Sequence, residues 1–351
     1  MLVRNFIDLA TRLAEVPGPV VSRLRQVDRG AGREDLYADQ APGLLDQLAT
    51  RARVESVTAS SAIEGVVVEP GRASRILAGQ VSRLGNRSEQ ELAGYRDALD
   101  HLWTDDPGEL TVGLILHLHR LLFARTESPG GRLKDEDNLV VDIDESGVRT
   151  VRFRPVSARE TPYHLEELVT RYGEAQRSGL HHPVLLVGMF ALDLSIIHPF
   201  TDGNGRVLRV LTNYLLVRSG YSVTRYVSLE QLLHDDRDRY YDALAASTTG
   251  WSRDESNVWP WLDFFVEKLE LAYRIFEAQA TAARGTGTKQ DRVREHIRRH
   301  APASFAMADL RAALPGISDV TIRLVLAELR SAGEIAPDGT GRSTRWRRLG
   351  R

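Results

Sequence analysis

Fourteen consecutive residues, Val184 to Ile197 (VLLVGMFALDLSII), carry a single charged side chain. A helix that is apolar almost all round has no face to give to water, so it must lie inside other helices, and the segment predicts a mostly helical core. His198 then stands at the end of a rigid element. Pro199 and Thr201-Asp202-Gly203 break the helix, because proline lacks an amide donor and glycine frees the backbone. A second helix restarts near Asn204 and runs to about Arg218, with Val207, Leu208, Leu211, Leu215 and Leu216 as apolar positions. Loop and helix start together make an anion cradle, since free amides and the positive dipole end both favour phosphate, and Gly203 and Gly205 let the backbone come close. Arg206 and Arg209 share a face there. Each opposes the dipole at a cost of roughly 0.3–1 kcal/mol, so the pair implies a bound anion. Asp202 offers a hard oxygen ligand for magnesium bridging phosphates.

The run His198 to Arg209 (HPFTDGNGRVLR) resembles the signature of the Fic family, His-x-Phe-x-Asp/Glu-Gly-Asn-Gly-Arg-x-x-Arg, at every fixed position. The resemblance implies a helical Fic fold that transfers AMP from ATP to a hydroxyl side chain (Ser, Thr or Tyr) of a target protein or of the chain itself. It implies His198 as the general base, Phe200 as a buried loop anchor and Asp202 as the Mg2+ ligand. Asn204 and the amides around Gly203 and Gly205 would cradle the α- and β-phosphates, while Arg206 and Arg209 would pair with the β- and γ-phosphates. An ordinary imidazole pKa near 6.5 suits such a base at neutral pH.

Upstream, Val54 to Gly65 (VESVTASSAIEG) reads as a short helix closed by Gly65. Glu64 is a carboxylate at the negative end of that helix, an unfavourable place unless a cation faces it. Ser60 to Gly65 is similar to the Fic inhibitory motif, Ser/Thr-x-x-x-Glu-Gly/Asn, in the class that carries it N-terminal to the signature. The resemblance implies that Glu64, with Ser60 opening the motif, pairs with Arg209 and occupies the γ-phosphate position. In some relatives the corresponding glutamate also assists removal of AMP.

Between the motifs, Leu139 to Ile143 and Val148 to Phe153 flank Asp144-Glu145-Ser146-Gly147 and read as a hairpin. Fic proteins use a similar flap, after a stretch like Pro129 to Arg132, to hold a target by strand addition, which makes 139–153 a docking candidate. Tyr240 and Tyr241 resemble positions that stack on the nucleotide base; packing in the core accounts for them equally. His117 and His119, two apart on a helix, face different ways and make a poor metal pair.

Lys289 to Arg351 holds 13 Lys+Arg and 7 Asp+Glu, leaving 33 and 41 for the rest of the chain. This asymmetry marks a nucleic-acid module. Helices over Gln290 to Arg299 and Met307 to Leu314, a third opened by Ser318, and a hairpin through Asp338-Gly339 resemble a winged helix-turn-helix. Thr321 and Arg323 fall on its recognition helix, and Arg342, Arg345, Arg347 and Arg348 on its wing. Such modules bind DNA or protein.

The expected architecture is mostly α: an N-terminal helical region (1–105) holding the inhibitory helix at about 54–65, a Fic-type bundle with a hairpin flap (106–282), a small-residue linker (283–288) and a C-terminal winged helix-turn-helix (289–351). Trp259, Trp261, Phe264 and Phe265 are expected to pack on the Fic core. Zero cysteines exclude disulfides, and the N-terminus lacks a signal-peptide core, so the cytoplasm is expected and no membrane partner is. The family resemblance admits a homodimer. Two functions compete, a self-inhibited adenylyltransferase using ATP and Mg2+, and a DNA-binding regulator whose Fic domain senses nucleotide.

Overall fold

The computed structural model describes residues 5–40, 42–104, 108–143, 149–253, 255–286, 289–339 and 344–349. It divides into two units, Met1–Glu277 and Ala278–Arg351.

The first unit is helical around Pro183–Ile197, thirteen of whose residues are buried, as the uniform apolarity requires. Pro183 opens that helix, and His182 Nδ1 accepts from the Val184 amide at 3.2 Å. The next helix, Asn204–Arg218, has the bounds read from the sequence. Against the buried helix lies the start of helix Trp259–Thr286: Trp261 Nε1 donates to the Gly188 carbonyl at 2.8 Å, and a Cβ on Gly188 would press within 2.7 Å of Leu262. Trp261, Phe264 and Phe265 are buried as expected, whereas Trp259 stays half-buried at the helix start. The same helix continues to Thr286, so residues 283–286, read as linker, are helical.

The helix read over about 54–65 is longer in the structure, Pro42–Ile63. Leu45, Leu48 and Ala52, at spacings of three and four, carry its buried stripe N-terminal of Val54. It ends in a Schellman arrangement: Val66 N–H donates to the Ser61 carbonyl (2.9 Å), Gly65 N–H to the Ala62 carbonyl (3.0 Å), and Gly65 has φ +78°. That turn makes Glu64 the capping residue and leaves its side chain beyond the helix end.

The flap is a hairpin of β1 (Val140–Ile143) and β2 (Arg149–Phe153), antiparallel with Val141 opposite Val151 and a register shift beside Val140. Its turn, 144–148, lies outside the described residues.

In the second unit, helices Lys289–Arg299, Met307–Ala313 and Asp319–Ser331 accompany a three-stranded antiparallel sheet of β3 (Ser304–Ala306), β4 (Ile335–Asp338) and β5 (Arg345–Arg348), ordered β3-β5-β4. Val293, Phe305, Leu310, Ile322, Val325 and Leu329 form its core. The three helices and the hairpin strands follow the sequence reading; the three-residue β3 was too short to show a period. Among the described residues, no helix is long and apolar enough to cross a membrane.

Candidate active site

His198 caps the buried helix in the left-handed region (φ 49°, ψ 61°) and is the one non-glycine with positive φ among the described residues. A left-handed L-residue costs about 1–2 kcal/mol, so the surroundings must hold it. They do so from three sides. Asn204 Oδ1 accepts from the Phe200 amide (2.9 Å) while its Nδ2 donates to the Phe200 carbonyl (2.7 Å), closing the loop on itself. Lys134 Nζ donates to the Ile197 carbonyl (3.1 Å) and to Asn138 Oδ1 (2.9 Å), and Asn138 Nδ2 donates to the Phe200 carbonyl (3.0 Å). His119 stacks on Phe200 at 3.8 Å with rings 1° from parallel, accepts from Gly131 N–H through Nδ1 (2.8 Å), and directs Nε2 at the Asp202 carbonyl (3.0 Å). The Gly131 contact fixes the tautomer, leaving Nε2–H as the donor.

Burial is the main cause that pushes the His198 imidazole down to about 4, helped by the Lys134 ammonium and opposed by a hydrogen bond to the Ser195 backbone and by Glu64. The ordinary value expected from sequence is therefore corrected: at neutral pH His198 is fully unprotonated, though a weaker base than a free imidazole. His119 is held at about 4, again chiefly by burial. Burial likewise lowers Lys134, to about 8.

Arg209 is buried in the second turn of Asn204–Arg218. Its Nη2 donates to Glu64 Oε1 (2.7 Å) and to the Ser60 carbonyl (3.1 Å), and its Nε donates to Ser60 Oγ (2.9 Å). The pairing of Glu64 with Arg209 that the resemblance implies is thus present as geometry, and the Ser60 contacts add to it. Burial pushes the Glu64 carboxyl up, but Arg209, then Arg206 and His198, outweigh it and hold the group below its usual range. Glu64 lies on the bare backbone of Gly205, where an added Cβ would overlap Oε1. The carboxylate therefore fills the start of the helix, where anion-binding amides and dipole converge.

Arg206 is engaged otherwise than the resemblance implied. Its side chain is 2% exposed; Nη1 donates to Glu91 Oε2 (2.9 Å), Nη2 lies 3.4 Å from Asp202 Oδ1, and the guanidinium lies over the Phe123 ring at 5.2 Å. Arg87 completes the ring, donating to Glu91 Oε1 (2.5 Å) and to Asp202 Oδ2 (3.1 Å). Arg206 Nε alone has no partner. Asn204 braces the loop with both ends of its amide, and its Nδ2 carries a second N–H beyond the bond to the Phe200 carbonyl. Asp202 is half-exposed, its carboxylate held by the Gly203 amide (2.6 Å) and by Arg87. One accessible carboxylate together with substrate phosphates is what Mg2+ uses, so these residues fit that ion.

The two tyrosines part company. Tyr240 is buried against Trp261 and Phe264, which withdraws it from any base-stacking role. Tyr241 is partly exposed, its ring 4.7 Å from the Arg152 guanidinium of the flap and its hydroxyl 3.4 Å from the Ile63 carbonyl at the end of helix Pro42–Ile63. Sequence reasoning missed His119, Lys134, Asn138, Arg87 and Glu91. A histidine inside the buried stripe Ile115, Leu118, Leu122 was the available signal, because a buried imidazole needs polar partners. His117 instead meets His101, ring centroids 4.7 Å apart, while His119 turns to Phe200 and the loop.

Residues 109–216 match the Fic/DOC family. The chain is 36% identical over 118 residues to the protein adenylyltransferase Fic of Culex quinquefasciatus, covering 33% of this chain and 21% of that protein. It is 28% identical over 167 residues to the protein adenylyltransferase fic-1 of Caenorhabditis elegans, covering 46% and 31%. The chain thus spans between about a fifth and a third of the length of these curated relatives. A Fic family protein from Desulfovibrio desulfuricans has the same fold, with TM-score 0.64, 21% identity and coverage of 96% of this chain and 98% of that one. Both the signature and its loop lie inside the segment that matches this family.

Proposed function

We propose that this protein is a self-inhibited protein adenylyltransferase. The observation that carries the reading is the Glu64 carboxylate seated on Gly205 and paired with Arg209, at the start of a helix whose preceding loop aims a neutral imidazole. In the active state a nucleotide phosphate replaces Glu64 on Arg209 and on the free amides. His198 takes the proton of a target hydroxyl as its oxygen attacks the α-phosphorus; the new P–O bond forms as the bond to the β-phosphate bridging oxygen breaks, and pyrophosphate leaves. Asp202 would hold Mg2+, which when bound would neutralise phosphate charge. Positioning and charge do most of this chemistry. The target segment docks on the flap edge, where Leu139 and Val151 are each nearly half exposed. The test is transfer of α-phosphate label from ATP by the Glu64→Gly chain.

A second role rests on the net charge of +6 carried by residues 289–351, read as a winged helix-turn-helix. Arg323 is exposed and 3.6 Å from Asp319; Thr321 shares a hydrogen bond with the capping Ser318; Arg345 donates to Ser304; Arg342 lies outside the described residues. Arg294, Arg298 and Arg311 are paired with Glu328, Glu334 and Asp319, which lowers the field available to phosphates. If the unit contacts DNA, affinity for duplex falls steeply between 50 and 200 mM salt (by about 10³-fold for six phosphate contacts) and disappears on removal of 289–351. Equal binding by the truncated chain contradicts this role.

A further inference from the structure

Glu230, in the first turn of helix Leu229–His234, is wholly buried, as is Tyr95 of helix Arg87–Thr104. The Glu230 carboxylate accepts from the Tyr95 hydroxyl (2.7 Å) and from Asn213 Nδ2 (2.7 Å) at Oε1, and from the Ser228 hydroxyl (3.4 Å) at Oε2, and all three of these donors are neutral. A buried carboxylate needs a compensating cation, either in contact or through polar groups that transmit the charge. Arg209, itself buried, is that cation. Asn213 ties the two through the backbone, because its Nδ2 also donates to the Arg209 carbonyl (3.1 Å). Tyr95 ties them through the side chains: burial, then the Glu230 charge, pushes its hydroxyl well up, while Arg209 and a hydrogen bond with Ser60 draw it back. Tyr95 spends its one proton on Glu230, so its oxygen can only accept from its other neighbours. Those neighbours, the Ser60 hydroxyl and the Arg209 guanidinium, are donors, and Ser60 Oγ in turn accepts from Arg209 Nε (2.9 Å).

We propose that Tyr95 and Glu230 are positioning residues for Arg209, the pair that keeps its guanidinium in place once Glu64 has left it. The two carboxylates act differently. Glu64 takes an N–H of Nη2 directly and is exchangeable for phosphate, whereas Glu230 supplies negative charge from within the core through Tyr95 and Asn213 and takes no guanidinium N–H. Arg209 therefore keeps an anionic partner when Glu64 is displaced, with Nη2 free to meet a phosphate. The phosphate-binding role of Arg209 is that of the function proposed above; the tie among Arg209, Tyr95 and Glu230 does not depend on it.

Thermal melting tests the tie without nucleotide. Tyr95→Phe and Glu230→Gln each keep the shape of the side chain. In the Glu64→Gly chain, where Arg209 has lost its carboxylate hydrogen bond, each is expected to lower Tm at least about 2 °C more than the same substitution does in the parent chain. Side chains that only fill the core act alike in both backgrounds, so equal decrements overturn the proposal. Calorimetric titration in the Glu64→Gly background tests the consequence. Each substitution is expected to raise the Kd for ATP about 3- to 10-fold, what loss of one net hydrogen bond gives, and to change the Kd for AMP, which lacks the outer phosphates, by less than about twofold. Equal weakening of ATP and AMP marks a general packing role and overturns the proposal. The larger decrement in Tm from a chain that binds no ATP retains the positioning of Arg209 and contradicts its phosphate-binding role instead.

Discussion

Glu64→Gly raises AMP incorporation about 5- to 150-fold over the unsubstituted chain, the range that a coupling free energy of 1–3 kcal/mol gives. The expectation follows from what Glu64 touches. Its carboxylate is the anionic partner of a buried guanidinium and covers Gly205, so it competes directly with a phosphate for the same cation and the same amides. Removing it exposes the helix start and takes away the one carboxylate hydrogen-bonded to Arg209, which keeps its two Ser60 contacts. An uncompensated buried charge is destabilising by up to 3–5 kcal/mol, softened here by Ser60, so the variant melts at lower temperature without nucleotide. It regains more stability from ATP than the parent does, because a phosphate restores the lost partner. Label counting and thermal melts with and without ATP check both halves; equal low incorporation together with an equal ATP response contradicts the inhibitory role.

His198→Ala, made in the Glu64→Gly background, lowers transfer about 10²- to 10⁴-fold while ATP affinity changes little, as removal of a general base does. The pH profile supplies an independent readout. Because burial holds the folded-state imidazole near 4, below its usual 6.5, the proton that disables the base binds only in strong acid. Loss of Glu64 takes away a charge that raises this value, so the free variant is displaced further down. The acid limb of kcat/KM is therefore expected well below 6.5, and a limb at 6.5 contradicts the environment described for His198. The same sign governs stability. His198 and His119, both depressed when folded, favour the native state above pH 6.5, and that contribution is lost as pH falls from 6.5 toward 4.

The helices either side of the loop were legible because their signals are local. Uniform apolarity over 184–197 and apolar spacing over 204–218 need no partner to be read, and His198, Gly205 and Arg209 stand in one short run. Helix Pro42–Ile63 exceeds its motif because Leu45, Leu48 and Ala52, which extend the buried stripe, precede the Ser60 to Gly65 run. What holds the loop was illegible for a different reason. His119 meets Asp202 across 83 positions, Lys134 meets Ile197 across 63, and Glu91 meets Arg206 across 115. No local period encodes such pairs. Tyr240 failed as a base-stacking residue because Trp261 and Phe264, some twenty residues on, enclose it.

The most direct measurement is a crystal structure of the Glu64→Gly chain with a non-hydrolysable ATP analogue and Mg2+. The account predicts the triphosphate on the Gly203 to Gly205 backbone, a phosphate on Arg209 where Glu64 had been, and a His198 ring nitrogen facing the path of attack on the α-phosphorus. Nucleotide bound elsewhere, or an imidazole turned from the α-phosphorus, contradicts it.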